Sequence, residues 1–127
     1  MHYKMVMALS FLACHTPYRL LMAAGWLLGN LYYLLIKRQR ELAIAQIMSA
    51  LHMTETEAKK TVRASFINLA RNVLEILYMP HLNRKNFRKY IEIDHLERME
   101  AALAEGKGVV VLTGHIGTWE WLSAAFS

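Results

Sequence analysis

A histidine and a glutamate stand five positions apart near the end of the chain, and together they could do general-base chemistry. They are His115 and Glu120, and Gly114 and Gly117 lie on either side of the histidine. Neutral imidazole can accept a proton on one ring nitrogen while the other holds its hydrogen. A carboxylate on that second nitrogen fixes the tautomer, and base catalysis of this kind contributes about 10²–10⁴ in rate. No serine or cysteine lies between the two glycines, so the base would act directly on a substrate hydroxyl.

The segments around this pair predict the sheet edge at which open α/β proteins place their sites. The unbroken apolar run 109–113 is typical of a strand buried on both faces. Residues 91–93 alternate as a second strand, and the helix between would begin at a capping box of Asp94 and Glu97 and stop at Gly106. We expect a right-handed βαβ unit that delivers the histidine. On spacing alone, a loop histidine beside a solvated glutamate explains the pair equally well; the glycines and the strand favour a site.

The same motif resembles a known one. GHIGTWE resembles the His-x-x-x-x-Asp/Glu motif of the glycerolipid acyltransferases. The wider chain resembles the lipid A biosynthesis acyltransferases of the lauroyl/myristoyl type, through a hydrophobic N-terminal helix, FINLARNVLE and EGKGVVVLTGHIGTWEW. The resemblance implies that His115 is the catalytic base, that Glu120 is its partner, and that Gly117, Thr118 and Trp119 bind substrate. Thr118, the predicted N-cap of the following helix, stands where the family commonly has asparagine.

The resemblance also implies a reaction and a fold. An acyl group would move from a thioester, on acyl carrier protein or coenzyme A, to a hydroxyl of a lipid acceptor such as a lipid A precursor. No metal and no resident cofactor would be needed. The fold would be α/β, with an N-terminal membrane helix and a helical hairpin leading into the βαβ unit of a glycerolipid-acyltransferase-like sheet. Because members of that family are considerably longer, we expect the chain to be the first part of an enzyme, with an incomplete sheet and no activity by itself.

Composition divides the chain into three parts. They are a membrane-associated hydrophobic segment, 1–37, a helical region, 38–80, and the start of the catalytic domain, 81–127. In the helical region, 38–51 has the apolar spacing of a helix. Thr54 and Glu57 form a capping box, and apolar residues at steps of three and four then predict an amphipathic helix that ends at Pro80. Glu75 on its polar side resembles a recurring acid of the family, although a solvated or salt-bridged glutamate is the commoner explanation.

The front of the chain predicts membrane attachment. The 127 residues are 55% hydrophobic with a net charge of +5, and the apolar excess lies at the front. Residues 18–36 carry a single full charge and reach the length of about 20 residues that spans a bilayer core. Lys37, Arg38 and Arg40 follow and would keep that end cytoplasmic. We expect the bacterial inner membrane, with the active site on the cytoplasmic side; a buried core helix or a helix lying in the membrane plane also fits the pattern.

A second basic stretch lies between the helical region and the motif. Its basic and interleaved aromatic residues are Arg84, Lys85, Arg88 and Lys89, with Phe87 and Tyr90. Such a mixture suits an anionic phospholipid surface, nucleic acid or a solvated loop, and no stacking motif or repeat supports nucleic acid. A second hypothesis is therefore a non-enzymatic, membrane-tethered module that binds anionic lipid or nucleic acid through this stretch. The single cysteine excludes an internal disulfide.

Overall fold

The computed structural model describes residues 2–83, 85–112, 114 and 116–121, and the regular elements among them are all helical. The α-helices are α1 (His2–His15), α2 (Tyr18–Leu35), α3 (Lys37–Leu51), α4 (Glu55–Tyr78) and α5 (Leu96–Ala104). Two short 3₁₀ helices, Met79–His81 and Phe87–Lys89, lie between α4 and α5. The chain forms two compact units, Met1–His81 and Leu82–Ser127.

The predicted α/β fold is wrong for this part of the chain, since its described residues form no strand and no sheet. At the predicted strand 91–93, which comes first in the chain, Ile91 N–H donates to Phe87 O at 2.9 Å and so closes the turn before it. At the second, residues 109–112 are irregular, and Val110 and Leu112 are 90% and 94% exposed. A strand is stable only when a neighbouring strand takes up its backbone hydrogen bonds. The β-branched run 109–113 favours extended backbone but does not by itself provide a pairing strand. The predicted βαβ unit therefore does not form among the described residues.

Helix α2 packs closely on α4 through two glycines. A Cβ built on Gly29 would lie 2.4 Å from Ile67 Cα and 2.8 Å from Phe66 O, and one on Gly25 would lie 2.8 Å from Arg71 Cγ. The two glycines and their partners each step by four residues, which is the spacing of one helix face. The backbones of the two helices therefore approach each other over more than one turn.

Polar side chains reinforce the same helix pair. Arg63 Nε donates to Asn30 Oδ1 at 2.7 Å, and Asn30 Nδ2 donates to Trp26 O at 2.7 Å. Asn30 is buried, where an amide left without partners would cost free energy. Arg71 Nε also donates to Met22 O at 3.4 Å. These bonds fix the position of α2 along α4.

A buried cluster of the first unit lies where α3 meets the first half of α4. Ala58 and Val62 are completely buried and pack with Ile44. The predicted amphipathic helix is thus confirmed and ends before Pro80, but its apolar stripe is covered only in part. Farther along α4, Leu69 and Val73 are exposed.

The capping box predicted at the start of α4 is confirmed. Thr54 N–H donates to Glu57 Oε2 at 2.9 Å, and Glu57 N–H donates to Thr54 Oγ1 at 3.4 Å. The Thr54 hydroxyl also donates to the carboxylate at 2.6 Å. The bonds from this hydroxyl and from the Thr54 N–H hold the pKa of Glu57 below its ordinary value, because they favour the charged form.

Replacing Thr54 with alanine is expected to lower the free energy of unfolding by about 1 kcal/mol at neutral pH. The lowered pKa of Glu57 means that its stabilising effect is present above the ordinary value of about 4.3 and is lost as the pH falls through the folded-state value. The destabilisation, measured by denaturation followed by circular dichroism, should therefore shrink in acid. Thr56→Ala, an exposed threonine in the same first turn, is the matched control and should change stability by less than about 0.5 kcal/mol. Equal losses in both variants would contradict a capping role.

Helix α5 does not begin at the predicted box of Asp94 and Glu97. Its N-cap residue is His95, which has a left-handed φ of 56° and makes no capping bond with its side chain. His95 Nδ1 lies 3.1 Å from Glu97 Oε1. The end of the helix was predicted correctly. Gly106 has a left-handed φ of +70° and its N–H donates to Leu103 O at 3.1 Å.

The segment predicted to enter the membrane is helical as far as Leu35. At Ile36, with φ −95° and ψ 70°, the helix breaks and α3 leaves at 92° to α2. Among the described residues, no single helix has both the length and the apolar character needed to cross a bilayer. Within the described ranges, one pair of helices, α2 and α3 taken together across their bend, meets those two requirements.

Candidate functional site

The loop that carries the motif ends in a glycine turn. Gly117 has a φ of +65°, a conformation that glycine adopts without strain, and Ile116 N–H donates to Gly114 O at 2.9 Å. Helical conformation begins directly afterwards, where Trp121 N–H donates to Thr118 O at 3.1 Å. Glu120 therefore lies in the first helical turn, two residues after Thr118.

Trp121 anchors this loop within the second unit. Its side chain is only 6% exposed, and its ring meets Tyr90 edge to face with centroids 6.2 Å apart. Such a pair contributes about 0.5–1.5 kcal/mol beyond the burial of its area. Trp119, in contrast, is 38% exposed. Trp121 was not among the residues predicted for the site, and its large, mostly apolar ring is the signal that could have identified it as an anchor.

The structure describes four of the five predicted site residues, and His115 lies outside the described residues. Gly117, Thr118, Trp119 and Glu120 follow one another along the turn, and the Glu120 side chain is half-buried. The pairing of His115 with Glu120 stays a prediction. No group of three or more His, Cys, Asp or Glu side chains within the described part of the chain could hold a metal ion.

Glu75, the acid that the sequence analysis considered on α4, has a partner in the first unit. Tyr18 Oη donates to Glu75 Oε1 at 2.6 Å, and the Tyr18 ring packs against Tyr78 with centroids 5.7 Å apart. Burial first, and then the Glu75 carboxylate, raise the pKa of Tyr18 above its usual value. This bond joins the start of α2 to the last turns of α4, so a structural role accounts for Glu75.

One known protein family has a sequence model that matches nearly the whole chain, and it is a family of acyltransferases. The sequence model of the bacterial lipid A biosynthesis acyltransferases matches residues 2–126, which include the GHIGTWE motif. The chain therefore belongs to the bacterial lipid A biosynthesis acyltransferase family, and the resemblance seen in the sequence is confirmed. No curated protein and no solved structure matches the chain significantly.

Proposed function

We propose that the protein transfers a fatty acyl group from an acyl thioester, on acyl carrier protein or coenzyme A, to a hydroxyl of a lipid acceptor such as a lipid A precursor. The family match over residues 2–126, a range that contains GHIGTWE, is the observation that carries this proposal. The geometry of the turn supports it. Glu120 lies in the first helical turn after the left-handed Gly117, from where its carboxylate can fold back toward a side chain just ahead of that turn.

In the proposed reaction, His115 takes the proton of the acceptor hydroxyl while the hydroxyl oxygen bonds to the thioester carbonyl carbon. The Glu120 carboxylate accepts a hydrogen bond from the N–H of the second ring nitrogen and stabilises the imidazolium that forms. Amides at the helix start near Thr118 stabilise the oxyanion of the tetrahedral intermediate. Collapse of that intermediate breaks the carbon–sulfur bond, and the imidazolium gives its proton to the leaving thiolate. The products are an ester and a free thiol, formed without a covalent acyl-enzyme.

The first unit supports attachment to a membrane. Its helices α1 and α2 expose many large apolar side chains, which is a mark of an interaction surface. The most exposed are Tyr3, Phe11, Leu12, Leu20, Leu27, Leu34 and Leu35. An apolar groove of about 370 Å³ between α2 and α4 is continuous with them in residues such as Leu35. The basic residues that open α3, Lys37, Arg38 and Arg40, suit anionic headgroups and, in this proposal, mark the cytoplasmic side of the inner membrane.

A labelled acyl-transfer assay tests the proposed reaction. Membranes from cells that express the full gene product should move a labelled acyl group from acyl carrier protein or coenzyme A to a lipid A precursor. Thin-layer chromatography would show the product as a new, less polar labelled lipid, which membranes without the protein should not form. Absence of acylated lipid with both kinds of donor would contradict the proposal. The donor that reacts faster identifies the natural thioester.

A further inference from the structure

The second unit carries a basic surface in the segment of chain between α4 and α5. It consists of the exposed side chains Lys85, Arg88 and Lys89 and is called the basic turn below. Two asparagines hold its backbone. Lys85 N–H donates to Asn83 Oδ1 at 2.9 Å, and Asn83 N–H donates to Asn86 Oδ1 at 2.8 Å. The three cations therefore project from an ordered turn.

Two of these cations lie beside aromatic rings. Arg88 Cζ is 5.9 Å from the centroid of Phe87, and Lys89 Nζ is 5.7 Å from the centroid of Tyr90. Both rings are half-buried. Attraction between a cation and the face of a ring restrains each charged group near its neighbour. The basic turn thus combines exposed charge with two aromatic rings, the apolar ring of Phe87 and the amphipathic ring of Tyr90.

The three charges lie close together in the chain. Arg88 and Lys89 belong to the 3₁₀ helix Phe87–Lys89, and Lys85 lies two residues before it. Four residues span at most about 14 Å, which is less than two Debye lengths at physiological salt, so an anionic surface would experience the fields of the three charges jointly. No acid lies between them, and the next one in sequence is Glu92. Each basic residue near an anionic leaflet strengthens binding by about fivefold.

We propose that the basic turn binds the anionic headgroups of a phospholipid bilayer, which gives the second unit a membrane contact of its own. The inference rests on the proposed function only in that it takes the protein to work at a membrane. An acidic partner such as an acyl carrier protein would account for the cations but not for the aromatic rings beside them. The rings favour the bilayer, because an amphipathic tyrosine ring such as that of Tyr90 settles at the level of the headgroups and Phe87 adds apolar surface beside it.

Vesicle binding of the full gene product tests this inference. The vesicles contain either phosphatidylcholine alone or equal parts of phosphatidylcholine and phosphatidylglycerol. The variant Lys85→Gln, Arg88→Gln, Lys89→Gln should bind the anionic vesicles about 100-fold more weakly at low salt, from three losses of about fivefold each. Its binding to the neutral vesicles should not change, because that binding depends on apolar surface.

The control removes the same net charge from exposed positions elsewhere. Its substitutions are Lys60→Gln, Arg98→Gln and Lys107→Gln. Equal losses in the two triple variants, or wild-type binding of the first to anionic vesicles, would overturn the inference. Unchanged vesicle binding together with lost binding of an acyl carrier protein would also overturn it and would assign the basic turn to a protein partner. Acyl transfer is measured separately in neutral detergent micelles, so failure of the proposed reaction and failure of headgroup binding are seen in different experiments.

Discussion

Replacing His115 with alanine is expected to lower the rate of acyl transfer by about 10²–10⁴-fold, because the imidazole is the group proposed to take the hydroxyl proton. The variant should stay bound to membranes, since the apolar side chains proposed to attach the protein lie on α1 and α2. Transfer is measured with the labelled thioester, and attachment by sedimentation with the membrane fraction. Loss of transfer without loss of attachment is the expected combination.

Glu120→Gln separates a role in orienting the histidine from a role in folding. The substitution keeps the size of the side chain and removes its charge, so a smaller loss of rate is expected than with His115→Ala. It should also move the rise of the pH–rate profile to lower pH, because a neighbouring carboxylate stabilises the protonated ring. A glutamate that only supported the turn would leave the position of that rise unchanged.

The second unit offers a matched control for the histidine. His95 also lies beside a glutamate, with its Nδ1 3.1 Å from Glu97 Oε1, but it is exposed and outside the motif. Asparagine tolerates the left-handed φ of 56° at this position, so His95→Asn should keep the fold and full transfer. Near-normal transfer by His115→Ala, or an equal loss in His95→Asn, would remove His115 as the base.

Features that are complete within a few residues could be predicted from the sequence. The capping box of Thr54 and Glu57 needs only groups from one turn, and it forms as expected. The helix predicted over 38–51 is observed as Lys37–Leu51 for the same reason. The family resemblance rests on contiguous stretches of sequence and is likewise confirmed.

Features that need a distant partner could not be predicted in the same way. The apolar run 109–113 has the composition of a buried strand, but composition does not say which segment would pair with it. In the structure, Ile91 N–H is used by a turn instead. The box expected at Asp94 did not form, because α5 begins one residue later, with His95 as its N-cap residue.

The candidate site shows both situations. The turn at Gly117 and the start of a helix at Glu120 could be predicted from the sequence, because both depend on neighbouring residues only. Trp121 packs against Tyr90, which lies 31 positions earlier in the chain, and no short sequence pattern predicts a contact between such distant residues. The position of the His115 side chain lies outside the described residues, so its role depends on the mutants above.

The largest effect on stability is expected at Gly29. Helix propensity alone predicts that Gly29→Ala stabilises α2 by about 1 kcal/mol. Packing predicts the opposite, because the new Cβ would lie 2.4 Å from Ile67 Cα and 2.8 Å from Phe66 O, and backbone atoms cannot rotate away. The helices would have to separate, which would also stretch the 2.7 Å bond from Arg63 to Asn30. Overpacking costs about 1–3 kcal/mol, and we expect a cost near the upper limit, so that after the gain in propensity the net loss is about 2 kcal/mol.

Two further variants of α2 give the expected order of effects. Gly25→Ala should cost less, about 1 kcal/mol, because the contacts of its new Cβ, 2.8 Å to Arg71 Cγ and 3.1 Å to Arg71 Cα, are longer than that on Gly29. Ala24→Ser, on an exposed position of the same helix, should change stability by about 0.5 kcal/mol or less. Denaturant unfolding in mild detergent, followed by circular dichroism, measures all three. A Gly29→Ala protein more stable than the wild type would show that propensity outweighs packing and that α2 does not approach α4 at this point. Because the two effects have opposite signs, the direction of the change alone decides between them.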